Sequence, residues 1–421
     1  MRLIRAAVAV SAMLIAAPAL SQEITVWADA TRQPAVEAFQ AAHPEVKVNL
    51  VVDDGSSGAS GTFQTKIALA DQAGEGWPDV VFSTQNNDAA WAARETNGVQ
   101  AFAQVLNEGF LDQAFLDGFT PGALDPVTVD GKVFGLRNDL APVLFWYNKA
   151  LLSEFGYEAP TTWEDYQALS DKLSADHPGY FLGAIGDAFP GPYVYYWSGE
   201  APVFQVNGEA FKSDTSDANS VKVGNLIDHM VANKTLTLDS LFGANFVANA
   251  SKLVAIPGAA WYAGALFQNP GGVNANAGDW VAGPPLYWKD GAKVTGNVGG
   301  GVWYASSHTT QPEAVKTFLQ FIVSDEKTAG TGGLPAYKAA AEKWLDTQAA
   351  SGFYAGDFKS AILTAASSVW NGWGYPNFSP ETAWAKVITP GLTAGKTMAD
   401  LSAEWEQEMK NEAQVVGYTV E

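Results

Sequence analysis

The spacing of apolar residues changes along the chain, and each change predicts an element. Ile24 and Val26 alternate with polar neighbours, a short strand that ends at Trp27-Ala28-Asp29. Pro34 suits the first turn of a helix whose buried side is Val36 and Phe39, and Pro44 ends it. Residues 46–51 alternate at period two, a second strand. After a Gly/Ser loop over 55–61, a helix is expected over about 63–72. Residues 79–82 then read as a third strand, which opens into Ser83-Thr84-Gln85-Asn86-Asn87-Asp88. Strand, helix, strand, helix, strand with short links predicts a parallel α/β sheet.

Further along, Val129 to Val133 places β-prone residues on both sides of Asp130-Gly131, a tight hairpin. Residues 143–147, Val-Leu-Phe-Trp-Tyr, form an apolar run that fits a buried strand. A helix through Phe155 should stop at Gly156, since glycine takes the left-handed position without a Cβ clash. Thr162 and Asp165 form a capping-box-like pair, and Tyr166, Leu169 and Leu173 follow at helical spacing. Residues 186–197, containing Asp187 and Tyr193, read as an aromatic loop. Residues 199–211 read as a hairpin turning at Asn207-Gly208. An amphipathic helix follows over 220–232, with Val223, Leu226, Ile227 and Met230 on one face. Residues 254–262 predict a strand, a Gly-containing turn and two aromatics.

In parallel α/β sheets ligands sit beyond the carboxyl ends of the strands. Two loops qualify, one with Trp27 and Asp29, the other with Gln85, Asn86 and Asp88. Their amides and carboxylates suit a set of hydroxyls; Asn and Asp also cap helices at such places.

Length and composition narrow the class. The chain has 421 residues, 47% hydrophobic and 16% charged, more than one core usually holds, so two domains are expected. The 41 glycines and 21 prolines are spread without a linker-like tract. Arg2 and Arg5, an apolar run over 6–17 and the small residues at Ala19-Leu20-Ser21 describe a cleavable signal peptide, residues 1–21, with a mature start at Gln22. With no cysteine there is neither a lipid attachment point nor a disulfide. Export without an anchor points to a Gram-negative periplasm. The formal charge of −21 argues against nucleic-acid binding and against an anionic membrane surface.

Catalytic and cofactor signatures are missing. The four histidines, His43, His177, His229 and His308, have no metal-ligand spacing. His43 and His177 each precede a proline and look like helix exits. Gly391 to Thr397 has too few residues between its glycines for a phosphate loop, and 296–301 is no dinucleotide fingerprint. No cofactor and no metal are expected. The 15 tryptophans and 14 tyrosines offer flat apolar faces that match the axial C–H patch of a pyranose. Most must be core, including Trp146, Trp163, Trp344 and Trp405. Those in turns or at strand ends, Trp27, Tyr193, Trp261 and Trp373, are the stacking candidates.

The order running from Gly131-Lys132 and Gly135-Leu136 through Tyr147-Asn148-Lys149 to Pro160-Thr161-Thr162-Trp163-Glu164-Asp165 resembles the extracellular solute-binding proteins of ABC sugar importers, the maltose and maltodextrin type included. The resemblance implies a two-lobe α/β periplasmic binding protein fold, with a ligand cleft between the lobes and hinge crossings. Lobe 1 would take 22–138 and 299–335, lobe 2 139–298 and 336–421. Asn138 and Asp139 would lie by the hinge and the pocket. Trp261 would stand where relatives present a sugar-facing Trp. Gly299-Gly300-Gly301 would let backbone and ligand approach closely as the chain re-enters lobe 1. The helix over 312–323 and a crossing at Pro335-Ala336-Tyr337 continue the pattern. The C-terminal part, with Trp370, Trp373, Tyr375, Trp384 and Trp405, would form helices packed on lobe 2.

The implied function is capture of a saccharide or polyol by a monomer and its delivery to an inner-membrane ABC permease, without covalent chemistry. The ligand set is Trp27, Asp29, Gln85, Asn86, Asp88, Asn138, Asp139, Asp187, Tyr193, Trp261, Gly300, Gly301 and Trp373. Two other readings stay open: a binding protein for a cationic ligand such as a polyamine, and an exported carbohydrate-active enzyme. A sugar acid would need a basic residue in the pocket. Arg32, Arg94 and Arg137 are the candidates, the first two better suited to the surface.

Overall fold

The computed structural model describes residues 22–52, 60–85, 88–95 and 98–421, with residues 60–63 described in backbone only. The expected signal peptide, most of the Gly/Ser loop and Asn86 lie outside the described residues.

The opening alternation forms strand β1 (Gln22–Ala28), helix α1 (Gln33–Ala42), strand β2 (Val46–Val52), helix α2 (Ser60–Ala73) and strand β3 (Val80–Ser83). β1 lies between β2 and β3 and is parallel to both. Two further strands complete this five-stranded sheet: Val302–Ala305 runs antiparallel beside β3, and Leu136–Arg137 runs antiparallel to that strand beyond it. Its core joins Ile24, Val26 and Phe39 to Trp303, Phe318 and Ile322 across a long stretch of chain.

The 143–147 run is the middle strand, Val143–Asn148, of a second sheet. Ala255–Ala259 and Trp280–Gly283 pair antiparallel on its two sides. Val143, Leu144, Phe145 and Trp146 are all buried, which explains a continuous apolar run where alternation would mark a half-exposed strand. Burying each such side chain contributes about 1.5–3 kcal/mol. Asn148 caps the next helix by accepting from the Leu151 N–H, and Gly156 ends it at φ 70°. Thr162 caps Trp163–Asp176, accepting from the Asp165 N–H. The C-terminal helices, including Phe358–Ala366 and Met398–Val415, pack on this second core through Trp384 and Trp405.

The chain passes between the two cores at three places that lie side by side. Pro335 pairs with Asp139, Pro142 bridges to Asn297, and Val302 pairs with Arg137. The Asn138 N–H donates to the Gly301 carbonyl, and the Ala336 N–H donates to that of Asn138. Two large cores joined by three adjacent narrow strands is a geometry suited to rigid-body hinge motion.

Two local expectations are corrected. The 205–212 hairpin turns at Gly208-Glu209, one residue later than expected, because Asn207 pairs with Ala210 and belongs to the strand. The aromatic stretch around Tyr193 is no open loop. Pro190–Tyr196 winds into a buried π-type turn, with Val194, Tyr195 and Tyr196 in the core. No helix among the described residues is long and apolar enough to cross a membrane.

Candidate functional site

A cavity of about 740 Å³ lies between the two cores, at the carboxyl ends of β1 and β3. Thr31, Arg32, Thr84 and Gln85 line it on one side, and Phe189, Trp261, Gly264, Ala265 and Glu381 on the other. The crossing segments form its floor through Asp139, Val298–Gly301 and the glycine-rich turn at 330–333. Its size falls in the range of small-molecule sites, and its lining mixes aromatic faces with a few polar groups.

Trp261 follows the buried strand Ala255–Ala259, and its ring packs against Phe189 and Tyr262. The indole Nε1–H donates to the Val298 carbonyl at 3.0 Å, which fixes the ring against the crossing segment. Asp139 Oδ1 accepts the Gly301 N–H at 2.9 Å and the Asn138 Nδ2–H at 3.1 Å. Gly300 sits at φ 95°, and a Cβ there would collide with Arg137 Nη2 and the Asp139 carbonyl. One at Gly301 would collide with the Phe82 ring. These glycines therefore line the cavity because side chains crowd them from behind.

Arg32 stands in the wall beside Asp29. Its Nη1 lies 3.2 Å from Asp29 Oδ2, and its guanidinium rests 4.2 Å above the Phe82 ring. Asp29 also accepts the Thr31 N–H, so it caps the turn that carries Thr31 and Arg32 into the cavity. Opposite, Glu381 comes from the short helix Pro380–Ala383. Burial, with the neighbouring Asp187 adding to it, pushes the Glu381 carboxyl up to about 7.

Of the thirteen expected ligand residues, Gln85, Asp139, Trp261, Gly300 and Gly301 line this cavity. Asn86 lies outside the described residues. The rest are placed elsewhere, each for a visible reason. Asp88 is fully buried behind the wall, accepting from Ser83 Oγ at 2.6 Å and from Gln64 Nε2 at 3.1 Å. Asn138 is buried in the crossing and accepts from the Trp303 indole. Asp187 is engaged by Ser240 Oγ and the Leu241 N–H. Trp373 is 1% exposed, a core residue that donates to the Ala201 carbonyl and stacks on Trp197. Tyr193 packs against Trp197 and Trp373. Trp27 packs on the first core, with Lys66 near its ring. Asp29 acts on the cavity through Arg32.

Glu381, Phe189, Thr31 and the 330–333 turn are not among the residues expected from sequence, and Arg32, a pocket candidate better suited there to the surface, lies in the cavity wall. Arg94 is exposed as expected. Arg137 is 3% exposed, its Nη2 donating to the Asp139 carbonyl, and it faces a second, smaller cavity on the other side of the crossings. Among the described residues no three His, Cys, Asp or Glu side chains stand together as a metal site would require.

Comparison with known proteins agrees with this architecture. A lactose-binding protein of Rhizobium radiobacter is 22% identical over 342 residues, covering 77% of this chain and 76% of that protein. The ABC-transporter-associated binding protein of B. animalis subsp. lactis, solved with β-1,6-galactobiose, superposes with a TM-score of 0.76. It is 20% identical and covers 95% of this chain and 99% of its own. The galacto-N-biose/lacto-N-biose-binding protein of Bifidobacterium longum, solved with lacto-N-biose, also gives 0.76, at 18% identity over 95% of this chain and 98% of its own. At such identities the two structures speak for the fold, which is that of the two-lobe binding proteins. The model of the family described as bacterial extracellular solute-binding protein matches residues 25–329, and the chain belongs to that family.

Proposed function

We propose that this chain is the substrate-binding component of an ABC importer, and that it captures a saccharide in the cleft between its lobes. The observation that carries the reading is the two-sided lining of the cavity, Thr31, Arg32 and Gln85 from one core facing Phe189, Trp261 and Glu381 from the other. A ligand touching both walls stabilises the closed arrangement over the open one, because only the closed form makes both sets of contacts. Trp261 and Phe189 supply apolar faces for a sugar ring, and Gln85, Thr31, Asp139 and Glu381 supply partners for hydroxyls. The saccharides named for the relatives above support the same class.

In this reading the three crossings around residues 137–141, 297–302 and 334–336 act as the hinge. The lobes divide there, and the closed complex docks on an inner-membrane permease. The protein is exported to the periplasm with removal of residues 1–21, works as a monomer and returns its ligand chemically unchanged. One observation keeps a cationic ligand in view: Glu381 brings to the wall a carboxyl with no cation partner among the described residues.

A thermal-shift screen of the mature protein against monosaccharides, oligosaccharides, polyols, sugar acids and polyamines tests the proposal. A ligand at a hundred times its Kd stabilises the fold by about 2.7 kcal/mol. A selective shift with a saccharide, recovered intact by mass spectrometry, is expected. A shift with polyamines alone, or a hydrolysed glycoside, would overturn it.

A further inference from the structure

Among the described residues lining the cleft, three are charged: Arg32, Asp139 and Glu381. Arg32 is held by Asp29 at 3.2 Å and rests on the Phe82 ring. Asp139 takes two N–H groups on Oδ1. Glu381 differs from both. Among the described residues its carboxyl accepts no hydrogen bond and pairs with no cation; the charge acting on it is that of Asp187, and Glu381 in turn acts on the Tyr193 hydroxyl. Its helix holds it in place, since Pro380 and Ala383 on either side are buried. Burial and Asp187 both disfavour its charge, and its carboxyl is raised to about 7. A partly buried carboxyl without a partner gains from any donor brought to it and is penalised by an approaching anion.

The sum over the cleft points the same way. The Arg32 charge is offset by Asp29, which leaves two carboxylates around the space a ligand would fill, Asp139 in its floor and Glu381 in its wall. We propose, building on the saccharide reading above, that Glu381 sets the charge selectivity of the cleft: it receives a hydrogen-bond donor from the ligand, so the cleft admits neutral and amino-substituted saccharides and turns sugar acids away. The basic residue that a sugar acid requires is present in Arg32, but its charge is already matched.

The test is a titration of the mature protein with matched triplets: galactose, galactosamine and galacturonate, and glucose, glucosamine and glucuronate. Each is used free and as the corresponding β-linked disaccharide. The wild type should bind a neutral or amino member at least about tenfold more tightly than its uronate. In E381Q, which keeps the shape and removes the charge, the ratio of neutral to uronate affinity should shrink severalfold. A second measurement needs no variant. Uronates are ionised at both pH 6 and pH 8, so the wild-type penalty should grow as Glu381 ionises with rising pH. The other charged and titratable groups around the space are Asp187 and Tyr193 beside it, and Arg32 with Asp29 and Asp139 across it. A uronate that binds as tightly as its neutral partner, or a penalty unchanged in E381Q and flat with pH, would overturn the role of Glu381 and leave the saccharide reading standing. Binding of no member of any triplet would overturn the saccharide reading and this inference with it.

Discussion

The Trp261 indole Nε1–H donates to the Val298 carbonyl at 3.0 Å, and this one bond ties a cavity aromatic to a segment that crosses between the two cores. The ring is held by this crossing segment and by Phe189 and Tyr262, so little side-chain freedom is left to lose when a ligand stacks on it. Trp261→Ala should weaken saccharide binding by about tenfold or more, since an aromatic contact is worth about 0.5–1.5 kcal/mol beyond its buried area. Trp261→Phe keeps a ring but loses the anchor and should fall between. Calorimetric titration of the two variants checks the order; equal affinity in all three would remove Trp261 from the site.

Gly300 is expected to tolerate no side chain. At φ 95°, with Arg137 Nη2 and the Asp139 carbonyl behind it, alanine would strain the backbone and displace the arginine. Gly300→Ala should cost about 1–3 kcal/mol from backbone strain alone. Chemical denaturation measures this; a variant as stable as the wild type would contradict the crowding seen here.

Asp29 and Arg32 form a partly buried pair at the turn leading from β1, with side chains 10% and 15% exposed. Asp29→Ala removes both the cap on the Thr31 N–H and the partner of a cation in the cleft wall. The cap alone is worth about 0.5–2 kcal/mol. A loss of stability in that range is expected, together with a smaller penalty against sugar acids as Arg32 becomes unmatched. A variant that keeps both stability and selectivity would show the pair to be idle.

Asp88 makes a pH prediction. Burial raises its carboxyl to about 6, against the lowering effect of the Ser83 and Gln64 hydrogen bonds. Between about pH 4 and 6 the folded protein therefore keeps a proton that the unfolded chain has released, so this group lowers stability as pH rises through that window. Asp88→Asn removes the effect. Relative to wild type, the variant should gain stability across the window, by an amount on the order of 2–3 kcal/mol, and stay level above it. Parallel stability curves from pH 4 to 8 would show that Asp88 does not titrate there.

Periodicity made the fold legible, and a chemical guess made part of the site legible. The alternation in β1 and β2 and the apolar run at 143–147 appear because each strand's exposure is set by its two faces, which local spacing records. Gln85 was readable for the same reason, as a polar residue just past a strand end. Glu381 was not, because nothing local distinguishes Pro-Glu-Thr at a helix start from an ordinary exposed first turn. Only the packing of Pro380 and Ala383 turns it toward the cleft wall. Trp373 misled in the opposite direction. Its turn suggested exposure, but the Ala201 carbonyl from a distant segment satisfies its indole and lets the ring enter the core. Asp88, close in sequence to Gln85, was claimed by Ser83 and Gln64 instead of a ligand.

The most direct test of the central claim is small-angle X-ray scattering of the mature protein, with and without the saccharide that gives the strongest thermal shift. Capture between two lobes hinged at three adjacent crossings predicts a smaller radius of gyration and a shorter maximum dimension on saturation, reversed when the sugar is dialysed away. A scattering curve unchanged by a ligand that demonstrably binds would contradict capture by closure and place the sugar on a single lobe.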